Sequence, residues 1–437
     1  KDRGRFVYRS PPLARRPGSR LQDESSSGWR GTGPWPSSTT STRLEAAACG
    51  SHRMTRLLYS AFQLENLANG GLESASQILE RVGRNATVLT QRETSFNERW
   101  RAAGCEVIVC SDAGPARVRV PRFNAKAREL IRQGSIRVAH CNDIAALWHV
   151  APAARLAGAA VIFNVRDIFD EGRAYGPKWR LVHHVANEIV CLSEEMRETV
   201  MRRFPPHIRA FPRAVVSVTP SAIDLERMRP VGAEEKAALR KQLGMSASTF
   251  EIVYVGAVCP KKNQFAFLTE AAPQLLRAVP EARVTFAGDF RPDSDAYARS
   301  CADAVTHLAL GDRVSFHGYV TGTQRYYQAA DVTCLASRYE GLPRGMIESM
   351  ACGTPVVAFD VTSAREYLEQ TGAGLVASRY DFATLVRHLD RLSKDRALLT
   401  QLRTASRAVA ERSFDPEKSV AAYRRRYEHW AANAARA

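Results

Sequence analysis

A chain of 437 residues is too long for one ordinary hydrophobic core and suits two α/β domains with additions. Its 62 Lys and Arg against 45 Asp and Glu give a net charge of +17, yet no nucleic-acid-binding motif is recognisable and aromatic residues do not interleave with the basic ones, which disfavours nucleic acid as a partner. No apolar stretch approaches the length of a membrane span, and nine cysteines without any Cys-x-x-Cys indicate neither a zinc knuckle nor a disulfide framework; they read as small core residues of a reduced, cytoplasmic protein.

Residues 1–53 differ from the rest. Ser25-Ser-Ser27 and the run from Pro34 to Thr42 sit among scattered Arg with no apolar period, and the segment supplies +6 of the net charge. Such a composition cannot repay its ordering entropy. We expect a disordered or non-native extension, with the natural start at Met54. The rival, a targeting peptide, lacks a continuous apolar stretch.

Beyond Met54, apolar runs of strand type alternate with helical periods, the pattern of doubly wound parallel sheets. Strands are predicted near 56–61, 86–90, 106–110, 136–140, 160–165, 188–192 and 215–219, and then near 251–256, 283–288, 313–317, 331–335, 355–359 and 374–377. The stretch from Pro220 to Gly244 has no strand and holds Pro230-Val-Gly232, so it reads as the linker between two domains. After the first strand, Asn69-Gly70-Gly71 precedes a helix at Glu73–Glu80 and lets the backbone approach a ligand where a side chain would collide. From Arg117 to Arg137 there are seven basic residues and one Glu. That run is either a surface helix whose Arg stems cover the core or a basic face for an anionic membrane or acceptor. His140 and Arg166 each stand near a strand end, where open α/β sheets bind ligands.

The densest chemistry lies between Arg338 and Ala358. A short strand ends before Glu340, Gly341 and Pro343 break the chain, and Met346, Ile347, Met350 and Ala351 recur at helical spacing. Glu340 and Glu348 therefore flank the start of a helix. Carboxylates accept hydroxyl hydrogen bonds and the helix's first amides suit an anion, so the pair fits a ligand carrying both a polyol and phosphate.

This stretch resembles the Glu-x7-Glu signature of retaining glycosyltransferases with the GT-B fold, family 4 of that classification. The resemblance continues through Gly353–Ala358, Glu366 and Gly372–Val376, and upstream to Val314–Val320. It is strong over about residues 250–415 and weaker over 54–225. It implies an α/β fold of two doubly wound, Rossmann-like domains facing a central cleft: an acceptor-side domain at 54–225, a nucleotide-sugar domain at 226–415, and a helix at 416–437 crossing back to the first. The implied activity moves a sugar from a nucleotide diphosphate sugar to a hydroxyl of a glycan or lipid-linked acceptor, with retention, in cell-surface polysaccharide synthesis. The protein would be cytoplasmic, peripheral to the inner membrane face. Neither metal nor other cofactor is implied.

By the same resemblance Glu340 would hold sugar hydroxyls near the reacting carbon and Glu348 the ribose. Lys262, the helix reached through Gly341, Leu342 and Pro343, and the Gly70-Gly71 loop would stabilise the departing diphosphate. Two positions depart from the family pattern. Ala257 stands where an Arg is usual, leaving Lys261 as a substitute cation. Arg166 stands where a His is usual; it cannot accept a proton, but can stabilise charge on the leaving group, with Asp167 as its acidic partner. His140 is the alternative cleft residue. Rival classes are a GT-B sugar-nucleotide epimerase, a phosphorylase with a pyridoxal phosphate lysine, and a non-catalytic nucleotide- or glycan-binding module.

Overall fold

The structure, a computed structural model, describes residues 55–62, 70–111, 113–166, 181–204 and 214–434. The expectations for residues 1–53, Met54 and Asp167 fall outside that range. Seven strands make the first sheet: β1 (Leu57–Ser60), β2 (Ala86–Thr90), β3 (Glu106–Val109), β4 (Val138–Cys141), β5 (Ala160–Asn164), β6 (Glu188–Cys191) and β7 (Val215–Val218). Six make the second: β8 (Phe250–Val255), β9 (Ala282–Ala287), β10 (Val314–Phe316), β11 (Val332–Leu335), β12 (Val356–Phe359) and β13 (Gly374–Ala377). Their ends differ from the predicted runs by at most two residues.

All strand pairs are parallel, in the orders β3-β2-β1-β4-β5-β6-β7 and β10-β9-β8-β11-β12-β13. Strands covered by helices on both faces need not alternate polar with apolar residues. Accordingly β8, β11 and β12 are buried at every position. In each sheet the winding reverses once, between β1 and β4 and between β8 and β11. At such a switch point the two flanking loops diverge and leave a crevice at the carboxyl ends of the strands.

The stretch read as linker has no strand, but it contains a helix, Ala233–Gln242. This helix belongs to the second sheet. Its Lys236 and Arg240 reach the Asp331 carboxylate at 2.8 and 2.6 Å, and Asp331 also accepts the Glu251 amide at 3.0 Å. Burial pushes the Asp331 carboxyl up, and the charges of Lys236 and Arg240 together with the hydrogen bonds from Lys236 and the Glu251 amide outweigh this, leaving it below the ordinary carboxylate range; burial brings Lys236 down to about 8.

The helix Pro416–Ala434 returns to the first sheet and packs on the helix Gly70–Val82 and on β4 and β5. Tyr423, Tyr427 and Ala431 join Leu57, Tyr59, Ile78 and Trp100 in one apolar cluster. Three of its polar ends are paired: Tyr423 Oη donates to Asn164 Oδ1 at 3.1 Å, and Arg426 and Trp430 both reach the Glu188 carboxylate at 2.6 Å.

Asp331→Ala would leave Lys236 and Arg240 in the interior without their counter-charge, and we expect a loss of about 3–5 kcal/mol. Urea unfolding of parent and variant measures it, and a loss within the error of the extrapolation contradicts the assignment.

Candidate active site

At the switch point of the second sheet, the loop after β8 and the loop after β11 bring three charges together. Lys262 Nζ lies 2.6 Å from Glu340 Oε1 and Lys261 Nζ 3.2 Å from Oε2. The loops are also tied by backbone, Arg338 N donating to Lys261 O at 2.9 Å. Glu340 is 5% exposed. Burial alone would raise its carboxyl, and the ammonium groups of Lys262 and then Lys261 reverse this, holding it below the usual range.

Gly341, Leu342 and Pro343 are buried and lead into the helix Arg344–Ala351, whose start at Pro343 has no side-chain cap. Four residues into that helix, Glu348 is 7% exposed. Its Oε1 accepts Arg344 Nε at 2.7 Å, and its Oε2 accepts the hydroxyls of Tyr327 at 3.2 Å and Thr323 at 3.4 Å. Both predicted carboxylates thus flank one helix start, each neutralised by cations.

The first domain meets this helix through close backbone approaches. A Cβ on Gly341 would lie 2.1 Å from the Arg166 carbonyl oxygen, so only glycine fits there. Gly70 and Gly71 open the helix Gly70–Val82 instead of forming a loop before Glu73. A Cβ on Gly70 would come within 3.0 Å of Arg344 Cδ. In this structure the Gly70 approach therefore admits an arginine stem of the opposite domain, where the sequence suggested a ligand.

Arg166 touches Gly341 through its carbonyl, while its guanidinium turns to Asn142, Nε donating to the carbonyl at 3.2 Å and Nη2 to Oδ1 at 2.5 Å, with Ser221 Oγ at 3.4 Å from Nη1. Asn142 Oδ1 also accepts Tyr59 Oη at 2.9 Å. His140 is not brought to the cleft; it is fully buried beneath the C-terminal helix, with Nδ1 2.8 Å from Tyr427 Oη. Burial, then the Arg166 charge, bring its imidazole down to about 3, so it is neutral at ordinary pH.

A second crossing was not foreseen. Glu366 accepts the Glu194 and Glu195 amides at 3.3 and 3.0 Å, capping the helix Glu194–Arg203 from the other domain. In return Glu195 Oε2 accepts Ser363 N at 2.8 Å, and Ser363 Oγ lies 2.9 Å from the Gly341 carbonyl. Among the described residues no helix is long and apolar enough to cross a membrane, and no group of three or more His, Cys, Asp or Glu is placed to hold a metal ion.

Comparison with known proteins agrees with this layout. A model described as Glycosyltransferase Family 4 matches residues 79–227, on the first sheet, and one described as Glycosyl transferases group 1 matches 235–409, on the second. The chain belongs to the family-4-like glycosyltransferases of GT-B fold.

The D-inositol 3-phosphate glycosyltransferase of Streptomyces bingchenggensis is 29% identical over 243 residues, 54% of this chain and 51% of that protein. The GDP-mannose-dependent alpha-(1-6)-phosphatidylinositol monomannoside mannosyltransferase of Mycobacterium tuberculosis is 26% identical over 339 residues, covering 75% of this chain and 79% of that one. The chain spans about half the length of several such relatives, Bacillus subtilis EpsD included at 50%. Among solved structures, Anabaena HepE in complex with UDP superposes with a TM-score of 0.73 at 19% identity, over 84% of this chain and 98% of that one; a likeness at that identity concerns the fold.

The lowered Glu340 carboxyl sets a pH dependence. Its folded-state value lies below the unfolded one, so its contribution to stability is complete above the ordinary glutamate value of 4.5 and is lost as pH falls through the folded value. Glu340→Gln lacks this contribution at every pH. Melting temperatures from neutral pH down to acid should show the parent's advantage over Glu340→Gln narrowing only below that range; an advantage constant with pH contradicts it.

Proposed function

We propose that this chain transfers a sugar from a nucleoside diphosphate sugar to a hydroxyl of a glycan or lipid-linked acceptor, with retention of configuration, in the assembly of a cell-surface polysaccharide. The observation that carries the reading is the pair of buried carboxylates on either side of one uncapped helix start, Glu340 with two lysines and Glu348 with Arg344. A sugar nucleotide matches this order of groups: sugar hydroxyls at Glu340, diphosphate at Lys262 and the helix amides, ribose hydroxyls at Glu348. The family relationship and the relatives' names, which include a GDP-mannose-dependent enzyme, support the same donor class. Breaking the anomeric bond places negative charge on the leaving diphosphate. Lys262, with Lys261 as substitute for the arginine that Ala257 replaces, would stabilise that charge without a metal.

The lysines that neutralise Glu340 are then shared between carboxylate and phosphate. Donor binding would draw Nζ of Lys262 toward the diphosphate and leave Glu340 free to accept sugar hydroxyls. Arg166, held by Asn142 at the cleft's first-domain wall, would keep that wall positively charged. Asp167, which lies outside the described residues, stays its proposed acidic partner.

Contact with an anionic membrane is part of this reading, supported by the helix Ala116–Gln133. Phe123, Ala127, Leu130 and Ile131 face inward, while Arg117, Arg122, Arg128 and Arg132 are exposed. Clustered charges act together within about a Debye length, near 10 Å at moderate salt. Replacing Arg122, Arg128 and Arg132 by Gln should reduce co-sedimentation with anionic vesicles and leave nucleotide affinity unchanged. If the parent ignores such vesicles at low salt, the helix is an ordinary surface element whose stems cover the core.

Nucleotide titration and turnover with a panel of nucleotide sugars test the site. Glu348→Gln is expected to weaken binding of the free nucleoside diphosphate, and Glu340→Gln to lower turnover more than that affinity. Lys262→Ala should cost about 2 kcal/mol of donor affinity, the scale of a charged hydrogen bond. Donor bound by Lys262→Ala as tightly as by the parent would place the phosphate elsewhere.

A further inference from the structure

Arg344 touches both walls of the cleft. Its Nε donates to Glu348 Oε1 at 2.7 Å, and its Nη1 reaches Ser74 Oγ at 3.2 Å and the Ala222 carbonyl at 3.5 Å. Ser74 Oγ in turn lies 3.0 Å from the Gly70 carbonyl, as donor. The hydroxyl proton is thereby committed to Gly70, and a lone pair of the same oxygen receives the guanidinium. The stem of Arg344 lies against Gly70 itself, where a Cβ would be 3.0 and 3.1 Å from Cδ and Cβ. Asn142 completes the arrangement from the other side, its Nδ2 3.4 Å from the Gly71 carbonyl.

One planar fork thus joins the carboxylate proposed for the ribose to the first turn of the acceptor-side helix. Arginine suits the task because its donors point in fixed, diverging directions, which an ammonium point charge does not reproduce. Arg344 is 14% and Glu348 10% exposed by side chain, so the pair is shielded from competing water. The Glu348 oxygens together offer about four acceptor directions. Arg344, Tyr327 and Thr323 take three, two of the three contacts being longer hydroxyl bonds. Ribose hydroxyls arriving at Glu348 would displace or share those hydroxyl bonds while the short Arg344 contact remains.

We propose that Arg344 is a positioning residue that couples nucleotide binding at Glu348 to the placement of the Gly70–Val82 helix, so that occupancy of the donor site fixes the acceptor-side wall. This rests on the donor site proposed above. It predicts that a ligand bound by the second domain orders backbone in the first, through Arg344 and Ser74.

Hydrogen exchange of the full chain with UDP, GDP and ADP, each with a parallel binding titration, tests it. In the parent, the nucleotide that binds should slow exchange in residues 70–82. Arg344→Lys keeps a cation beside Glu348 but cannot hold Glu348 and Ser74 together, and Ser74→Ala leaves the Arg344–Glu348 pair intact while removing its partner across the cleft. With nucleotide added to saturation, as the titration of each variant shows, both variants should lose the protection at 70–82; melting curves identify a variant that has failed to fold, and either of the two then suffices. Protection that persists in a folded variant overturns the coupling through Arg344 and leaves the donor site standing. Absence of binding by the parent to any of the three overturns the donor site and this inference with it.

Discussion

Taking a carboxylate out of water costs several kcal/mol unless cations and hydroxyls replace the lost hydration, and Glu340 and Glu348 both lie buried within one turn-and-helix segment. The neighbouring chemistry follows from that constraint. Lys261 and Lys262 must come from the loop after β8, which brings the two loops of the switch point together. Arg344, Tyr327 and Thr323 must surround Glu348, which fixes the short helix Gln324–Ala329 beside the helix Arg344–Ala351. The far end of that helix is held as firmly, with Arg407 Nη1 donating to the Ala351 carbonyl at 2.7 Å and the Met228 carbonyl at 2.8 Å. A segment anchored at both ends can keep its two carboxylates at a constant spacing.

The same segment is also where the two domains touch. Each domain offers a glycine to the other's arginine: Gly341 lies under the Arg166 carbonyl and Gly70 under the Arg344 stem. A further crossing has the Glu366 carboxylate accepting the Glu195 amide and the Glu195 carboxylate accepting the Ser363 amide. Burial, then the neighbouring Asp360 and Glu366 charges, act to raise the Glu195 carboxyl against the pull of the Ser363 amide, and it ends above its ordinary value. The Glu366 and Glu195 carboxylates are held here by backbone amides of the opposite domain.

Much of the fold was legible in the sequence because a parallel strand covered on both faces is written as an unbroken apolar run, and β8, β11 and β12 are such runs. Glu340 and Glu348 were legible too, since a strand end, a chain break and a helical period are all local signals. Arg344 could have been found by the same reasoning: it stands four residues before Glu348, the spacing that pairs side chains along a helix. What no local signal carries is which loops meet. Gly70 reads as room for a ligand until the opposite domain is present. His140 is a strand-end residue like Glu340's neighbours, and period-two alternation says that it shares a face with its i±2 neighbours but not that Tyr423 and Tyr427 will cover that face. The helix Ala233–Gln242 was lost in the linker because Pro230 and Gly232 before it look like a break, whereas they only precede it.

The return of the helix Pro416–Ala434 to the first sheet has a consequence for synthesis. Leu57, Tyr59 and Ile78 are made early and would be ready to pack long before their partners Tyr423 and Tyr427 leave the ribosome. Domains usually fold as they emerge, but this one lacks part of its own interior until the second domain has been translated. The two passages between domains are bonded to each other, Ile223 N to Phe414 O at 3.0 Å. The nascent first domain must therefore wait, with an apolar groove open to water, for a strand of chain that arrives only after its neighbour is complete.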